Sequence, residues 1–92
     1  MTARRWHLRV SGKVQGVYYR ASTEHKAREL GLTGIVRNLP DGCVDIVAEG
    51  TEANLKALAN WCHYGPEKAE VTDVAITVDA ATGEFPDFRV QH

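Results

Sequence analysis

Alternation of apolar and polar residues predicts most of the secondary structure of this chain. Trp6, Leu8 and Val10 are separated by single polar residues, a period that is typical of a strand with one buried face. The same argument predicts further strands over residues 35–39, over residues 43–49, around Val74, Ile76 and Val78, and around Phe88 and Val90. Val71 is out of phase with the fourth of these strands, which predicts either a bulge or a late start of the strand near Thr72 and Asp73.

Two other segments carry buried-type residues at helical spacing: Thr23, Ala27 and Leu30 in the first, and Leu55, Leu58 and Cys62 in the second. This spacing predicts one helix over residues 22–31 and another that is capped by Thr51 and ends near Tyr64. Ser22 is the candidate N-cap of the first helix, and Gly31 is its candidate stop.

The order of these elements is strand, helix, strand, strand, helix, strand, with a short terminal strand. It predicts an α+β fold, the ferredoxin-like split βαβ sandwich, in which one antiparallel sheet carries both helices on one face. Residues 1–92 are expected to form a single domain. A helical crossover lets the first two strands run parallel with the third between them, so their carboxyl ends share an edge. The residues after Gly12 are therefore expected to lie near Asn38.

The composition is that of an ordinary globular protein and disfavours two classes of function. Hydrophobic residues make up 43% of the 92 residues and charged residues 25%, and the formal net charge is −1. Proteins that bind duplex nucleic acid normally carry a basic excess, so no nucleic-acid partner is expected. No apolar stretch approaches the ~20 residues of a membrane-spanning helix. We expect a cytoplasmic monomer that is not bound to a membrane.

The segment from Gly12 to Arg20 joins the first strand to the first helix and has the features of an anion-binding loop. A glycine-bearing loop before a helix can direct successive amide N–H groups at one point, where the helix dipole adds partial positive charge. The guanidinium of Arg20 can hold two phosphate oxygens at once. The pattern alone leaves open whether Gly16 serves only a tight turn, and whether Asn38 only prepares the hairpin at Pro40-Asp41-Gly42.

Two long motifs dominate the chain, Val10-Ser-Gly-Lys-Val-Gln-Gly-Val-Tyr-Tyr-Arg20 and Gly34-Ile-Val-Arg-Asn-Leu-Pro-Asp-Gly-Cys-Val44. In order and spacing they resemble the two signatures of the acylphosphatase family. The segments 27–34 and 87–90 are similar to that family as well. The chain departs from the family at Ile35, where an aromatic residue is usual, and at Tyr19, where Phe is common. Both departures concern local packing rather than a catalytic position.

The resemblance implies a fold and an activity. The family has the same split βαβ sandwich and hydrolyses the carboxyl–phosphate bond of acyl phosphates, with inorganic phosphate as product and sulfate as an analogue of it. Carried over to this chain, the resemblance makes Arg20 the phosphate clamp and Asn38 the residue that positions the attacking water. It makes the phosphate-binding loop the run Gln15, Gly16, Val17, Tyr18, Tyr19 and Arg20.

The chemistry of such a reaction calls for neither a cofactor nor a metal. The leaving carboxylate belongs to an acid with a pKa of about 4, as for Asp and Glu side chains, so it departs without a proton. The loose transition state needs positioning and charge stabilisation, which Arg20 and the loop amides can supply. Asp41 and Asp45 are then expected to be solvated hairpin residues rather than metal ligands. His25 is the one histidine expected near the site, and no role is assigned to it.

Three other interpretations have to be weighed against the enzyme. A non-catalytic module of this fold that senses phosphate or another small molecule would bind without turnover. An RNA-recognition domain shares the element order but needs aromatic residues on the solvent face of its central strands, where this chain has polar residues such as His7 and Arg9. A thiol nucleophile would need a base beside Cys43 or Cys62. These two cysteines are expected on opposite faces of the fold, which argues against a disulfide.

Overall fold

The computed structural model describes residues 3–92. Its strands and helices follow one another in the order that the sequence predicts. They are β1 (Arg4–Lys13), α1 (Tyr19–Glu29), β2 (Thr33–Asn38), β3 (Val44–Gly50), α2 (Glu52–Cys62), β4 (Glu70–Ala80) and β5 (Phe88–Gln91). The predicted N-cap of α2 is confirmed, because the Thr51 hydroxyl accepts a hydrogen bond from the Asn54 amide at 3.3 Å. Within residues 3–92, no helix has both the length and the apolar character needed to span a membrane.

The strands form one sheet in the order β4-β1-β3-β2-β5. β3 pairs antiparallel with both β1 and β2, so β1 and β2 run parallel with β3 between them, as predicted. β4 pairs antiparallel with β1, and the register shifts between Ser11 and Gly12. Because Ser11 faces Asp73 and Gly12 faces Val71, Thr72 is the extra residue, and the predicted bulge is confirmed.

The short terminal strand corrects the prediction of an antiparallel sheet. β5 pairs with β2 and runs parallel to it, so the sheet is mixed. β4 and β5 lie at opposite edges of the sheet, and residues 81–87 carry the chain from one edge to the other. This crossing determines the direction in which β5 meets β2, and the alternation of Phe88 and Val90 carries no information about it.

Alternate residues of each strand lie on opposite faces of the sheet. Leu8, Val36 and Ile46 are fully buried, and the predicted buried face of β3, formed by Val44, Ile46 and Ala48, is confirmed. Both helices contact the sheet, α1 mainly at β2 and β5, and α2 at β1 and β3. His7 and Arg9 are exposed on the other face. The result is the predicted α+β sandwich with one open sheet face.

Helix α1 begins earlier than predicted. Ser22 is not its N-cap, because the helix starts at Tyr19 and follows Tyr18, whose side chain makes no capping hydrogen bond. The Ser22 amide instead donates to the Tyr18 carbonyl at 3.0 Å, which places Ser22 inside the first turn. The other end agrees with the prediction, since Gly31 follows the last turn with φ of 70° in the left-handed conformation that favours glycine.

A buried aspartate on the open face of the sheet corrects a second expectation. Asp45 is only 6% exposed, and its carboxylate pairs with His7 and Arg37. Asp45 is therefore not a solvated hairpin residue. The pattern along the chain could not show this, because both partners come from neighbouring strands. Asp41, by contrast, is exposed as expected.

Glu49 fastens the crossing segment to the sheet. It is 4% exposed and accepts hydrogen bonds from the Arg5 side chain at 2.7 Å and from the amides of Thr82 and Gly83, both at 2.9 Å. Burial on its own would raise the pKa of the Glu49 carboxyl, but the two amides, Arg5 and the Thr82 hydroxyl lower this pKa to about 2.

We predict that Glu49→Gln removes part of the acid sensitivity of the fold. A carboxyl whose pKa is lower in the folded state stabilises the fold above its unfolded pKa, and this contribution is lost as the pH falls toward 2. The free energy of unfolding should therefore fall by about 2–3 kcal/mol more in the wild type than in Glu49→Gln between pH 5 and pH 2.

Chemical unfolding at several pH values measures this difference, and Glu67→Gln serves as the control because Glu67 is exposed. Glu67→Gln should retain the wild-type pH dependence. The same pH dependence in Glu49→Gln and the wild type would show that Glu49 is not the group responsible.

Candidate active site

The loop between β1 and α1 combines left-handed backbone conformations with amides that lack backbone acceptors within residues 3–92. Gly16 has φ of 74° and Tyr18 has φ of 62°, so two left-handed residues alternate with others along the loop. From Gln15 to Ala21, no amide N–H finds a backbone acceptor among residues 3–92. Alternation of this kind produces a concave nest of N–H groups, a geometry that binds anions.

The first turn of α1 leaves its positive end without a compensating charge from the helix itself. No acidic residue lies in this turn, and no side chain caps it. Helix α2 begins differently, because Thr51 caps it and Glu52 lies in its first turn. Of these two helix starts, that of α1, next to the amide nest, is therefore the one suited to an external anion.

Hydrophobic side chains of the loop are buried in the core and hold the loop in place. Val14 and Val17 are buried in the core, with 1% and 7% exposure. Tyr19 is also buried, and its hydroxyl donates a hydrogen bond to the Cys62 carbonyl at 2.7 Å, at the last residue of α2. The Tyr19 ring packs against Trp61 with 5.6 Å between ring centroids. These contacts anchor the loop to the core.

Arg20 and Asn38 line the same cavity as the loop. Arg20 is the second residue of α1, is half-buried, and pairs with no carboxylate within residues 3–92. Asn38 is the last residue of β2, and its Oδ1 atom is buried without a hydrogen-bond partner in the described part of the chain. Leaving a buried polar atom unpaired costs about 1–3 kcal/mol, so this oxygen is suited to accept from a bound molecule.

The cavity has a volume of about 900 Å³ and contains most of the residues that the sequence pointed to. Among them Gln15, Gly16, Tyr18, Tyr19, Arg20 and Asn38 line it. Val17 does not, because its side chain is in the core and only its backbone can serve the loop. The sequence missed the far wall, which consists of Ala21, Glu24, Arg28, Asp87, Arg89, Val90 and His92. Helical spacing from Arg20 could have identified Glu24 and Arg28, whereas the family resemblance of residues 87–90 did not indicate that β5 lines this cavity.

The charges of the far wall largely pair with one another. Arg28 lies 3.6 Å from a Glu24 carboxylate oxygen and donates to the Phe88 carbonyl at 3.0 Å. Arg89 pairs with Asp87 at 2.8 Å. Two of the three cavity arginines are therefore held by carboxylates, which leaves Arg20 as the cation available to an anion in the nest.

A family model described as Acylphosphatase matches residues 6–90. The chain belongs to the acylphosphatase family. A protein from Marinobacter nauticus named Acylphosphatase is 71% identical over 92 residues, which is the whole of both chains. At this identity over the full chain, the protein is an enzyme of the acylphosphatase type.

Solved structures agree with this assignment. An acylphosphatase from Coxiella burnetii is similar with a TM-score of 0.91 and 41% identity, over 98% of this chain and 94% of that one. The acylphosphatase from Bacillus subtilis has a TM-score of 0.93 and 30% identity, over 97% and 99% of the two chains. The similarity to acylphosphatases is therefore not limited to the two motifs and extends over nearly the whole chain.

Other nucleophiles and ligands considered from the sequence lie away from this acylphosphatase cavity. Cys43 and Cys62 are both free; Cys62 is fully buried, and burial raises the pKa of its thiol to about 12. Cys43 is not part of the cavity lining. His25 is 84% exposed, pairs with Glu29 at 3.5 Å, and lines a groove between the helices instead. Residues 3–92 contain no group of three or more His, Cys, Asp or Glu side chains that could hold a metal ion.

We predict that Tyr19→Phe destabilises this acylphosphatase, although Phe is common at the position in the family. The change keeps the ring but removes the donor to the Cys62 carbonyl, and an unpaired buried carbonyl costs about 1–2 kcal/mol. Chemical unfolding measures the loss, and Tyr64→Phe is the matched control because Tyr64 is 78% exposed. Equal stability of Tyr19→Phe and the wild type would show that the hydroxyl contributes nothing to the fold.

Proposed function

We propose that the chain hydrolyses the carboxyl–phosphate bond of acyl phosphates in the cavity described above. The observation that carries this proposal is the combination, in one cavity, of three groups that lack partners within residues 3–92: the amide nest, the Arg20 guanidinium, which has no carboxylate partner, and the buried Oδ1 atom of Asn38. We also propose that the active form is a monomer. The products are a carboxylate and inorganic phosphate.

The phosphoryl group of the substrate occupies the nest. Amides of the loop from Gln15 to Arg20 and the positive end of α1 donate toward its oxygens, while Arg20 holds two of them with its planar guanidinium. Inorganic phosphate, and sulfate as its analogue, bind to the same groups. These donors are fixed before the substrate arrives, so they stabilise charge on the phosphoryl oxygens without reorganisation.

Asn38 positions the attacking water. Its Oδ1 atom accepts a hydrogen bond from the water and holds the water oxygen in line with the bond to the leaving carboxylate. The carboxamide of Asn38 is not an appreciable base at neutral pH, so we propose that a phosphoryl oxygen of the substrate takes the proton. The water oxygen forms the new bond to phosphorus, and the carboxylate leaves with the electron pair of the broken bond.

Neither a metal nor a cofactor takes part in the proposed reaction. The leaving group belongs to a carboxylic acid with a pKa of about 4, so it needs no proton and no general acid. The transition state is loose, with charge on the equatorial oxygens of the phosphoryl group. Arg20 and the nest supply the positive charge that a divalent cation supplies in many other phosphoryl-transfer enzymes.

We predict that the wild type hydrolyses benzoyl phosphate in excess chelator and that Arg20→Ala lowers kcat/KM by ~10²-fold or more. Phosphate should also inhibit Arg20→Ala more weakly, because the clamp is lost. Arg4→Ala, which removes an exposed charge on β1, is the control and should behave as the wild type. Hydrolysis that stops in chelator and returns with added metal would refute metal independence. A folded wild type that binds phosphate without turnover would favour the sensing module instead.

We predict a different outcome for Asn38→Ala. This variant should lose kcat by ~10²-fold, since the water is no longer positioned, while the inhibition constant of phosphate changes by less than about threefold. Asn60→Ala, on the exposed side of α2, is the matched control and should retain the wild-type kcat. Full kcat in Asn38→Ala would rule out its role in positioning the water.

A further inference from the structure

The side chain of Gln15 does not face the nest to which its backbone belongs. Its Nε2 atom donates one hydrogen bond to the Leu39 carbonyl at 2.8 Å and another to the Cys43 carbonyl at 2.9 Å. Both protons of one amide group are therefore used on two carbonyls of the connection between β2 and β3. Gln15 is partly buried, so these hydrogen bonds are sheltered from water.

The two carbonyls belong to the turn that follows Asn38 directly. Leu39 donates its amide to the Cys43 carbonyl at 2.9 Å, and Gly42 donates to the Leu39 carbonyl at 3.2 Å, which closes the turn. Gln15 binds the same two carbonyls from outside. The side chain thus connects the first residue of the amide nest to the residues that set the position of Asn38.

We propose that Gln15 is a positioning residue that fixes Asn38 relative to the phosphate-binding loop. This inference rests on the proposed function, since it assumes that Asn38 holds the attacking water. In-line attack requires the water and the phosphoryl group to be aligned, and a displacement of about 1 Å can cost ~10²-fold in rate. β1 and β2 do not pair with each other, because β3 lies between them. Val44 of β3 pairs with both Val10 of β1 and Asn38 of β2, whereas Gln15 lies in the loop beyond this pairing. The side chain of Gln15 adds a direct connection from the loop to the turn after Asn38.

A purely structural role and a positioning role make different demands on Gln15. If Gln15 only stabilised the loop, its removal would weaken phosphate binding and turnover together. If it positions Asn38, its removal lowers turnover while phosphate binding in the nest is preserved, and the effect depends on the presence of Asn38. A double-mutant cycle measures this dependence.

The test uses Gln15→Met, which keeps the length of the side chain and removes both donors, in the wild-type and the Asn38→Ala backgrounds. With benzoyl phosphate, Gln15→Met should lower kcat by ~10-fold and leave the inhibition constant of phosphate within about twofold. In Asn38→Ala the same change should lower kcat by less than about twofold. Gln91→Met, an exposed glutamine of β5, is the matched control and should retain the wild-type kcat.

The outcomes separate the two proposals. Full kcat in Asn38→Ala overturns the proposed role of Asn38 and the role of Gln15 with it. Reduced kcat in Asn38→Ala, with an equal effect of Gln15→Met in both backgrounds, overturns only the inference about Gln15. Weaker phosphate inhibition with unchanged kcat overturns it as well. If Gln15→Met does not fold, Gln15→Asn replaces it in the same cycle with the same criteria, because its shorter side chain cannot reach both carbonyls.

Discussion

Unpaired amides in the loop between β1 and α1 are the constraint on which the site depends. From Gln15 to Ala21 these groups have no backbone acceptor within residues 3–92, although backbone donors are among the most consistently paired groups in proteins. The left-handed conformation of Tyr18 adds a cost of about 1–2 kcal/mol, and its side chain, 85% exposed, recovers little of it by packing. Burial of Val14, Val17 and Tyr19 holds the loop in this conformation. The core thus stabilises a backbone geometry whose unpaired amides are suited to an anion.

Electrostatics at the start of α1 follow from the same loop. The unpaired amides and the end of the helix both present positive charge, and Arg20 adds a full charge where the helix dipole opposes it. α2 shows how a helix start is usually satisfied, since Thr51 accepts from its amides and Glu52 supplies a negative charge. Both helices pack on the same sheet, yet they begin differently. The unpaired start of α1 is therefore a property of the loop before it and not of the fold as a whole. The carboxylates of Glu24 and Asp87 in the far wall pair with Arg28 and Arg89, and neither pairs with Arg20.

The sequence predicted the parts of this arrangement that depend on local patterns and on topology. Alternation identified the strands, the phase of Val71 identified the bulge, and the crossover placed the loop beside Asn38. Long-range features were missed. The burial of Asp45 depends on partners from two other strands, and the far wall of the cavity depends on the pairing of β5 with β2. Ser22 was predicted as the N-cap because serine is a common capping residue. In the structure α1 begins directly after the nest, at Tyr19, and no side chain caps it.

The side chain of Gln15 was missed for a different reason. A glutamine in a phosphate-binding loop suggests contact with phosphate. In the structure its Nε2 atom instead donates both hydrogen bonds to carbonyls of the turn after β2. With β3 between them, the axes of β1 and β2 are about 10 Å apart, two strand spacings. This separation leaves room for a phosphoryl group and a water between the groups at the two strand ends. Backbone pairing reaches Val44 of β3, which faces both Val10 and Asn38, and does not include the loop from Gln15 to Arg20. Topology therefore brings Arg20 and Asn38 to one cavity, and the proposed role of the two Gln15 hydrogen bonds is to align Asn38 with the loop across that edge.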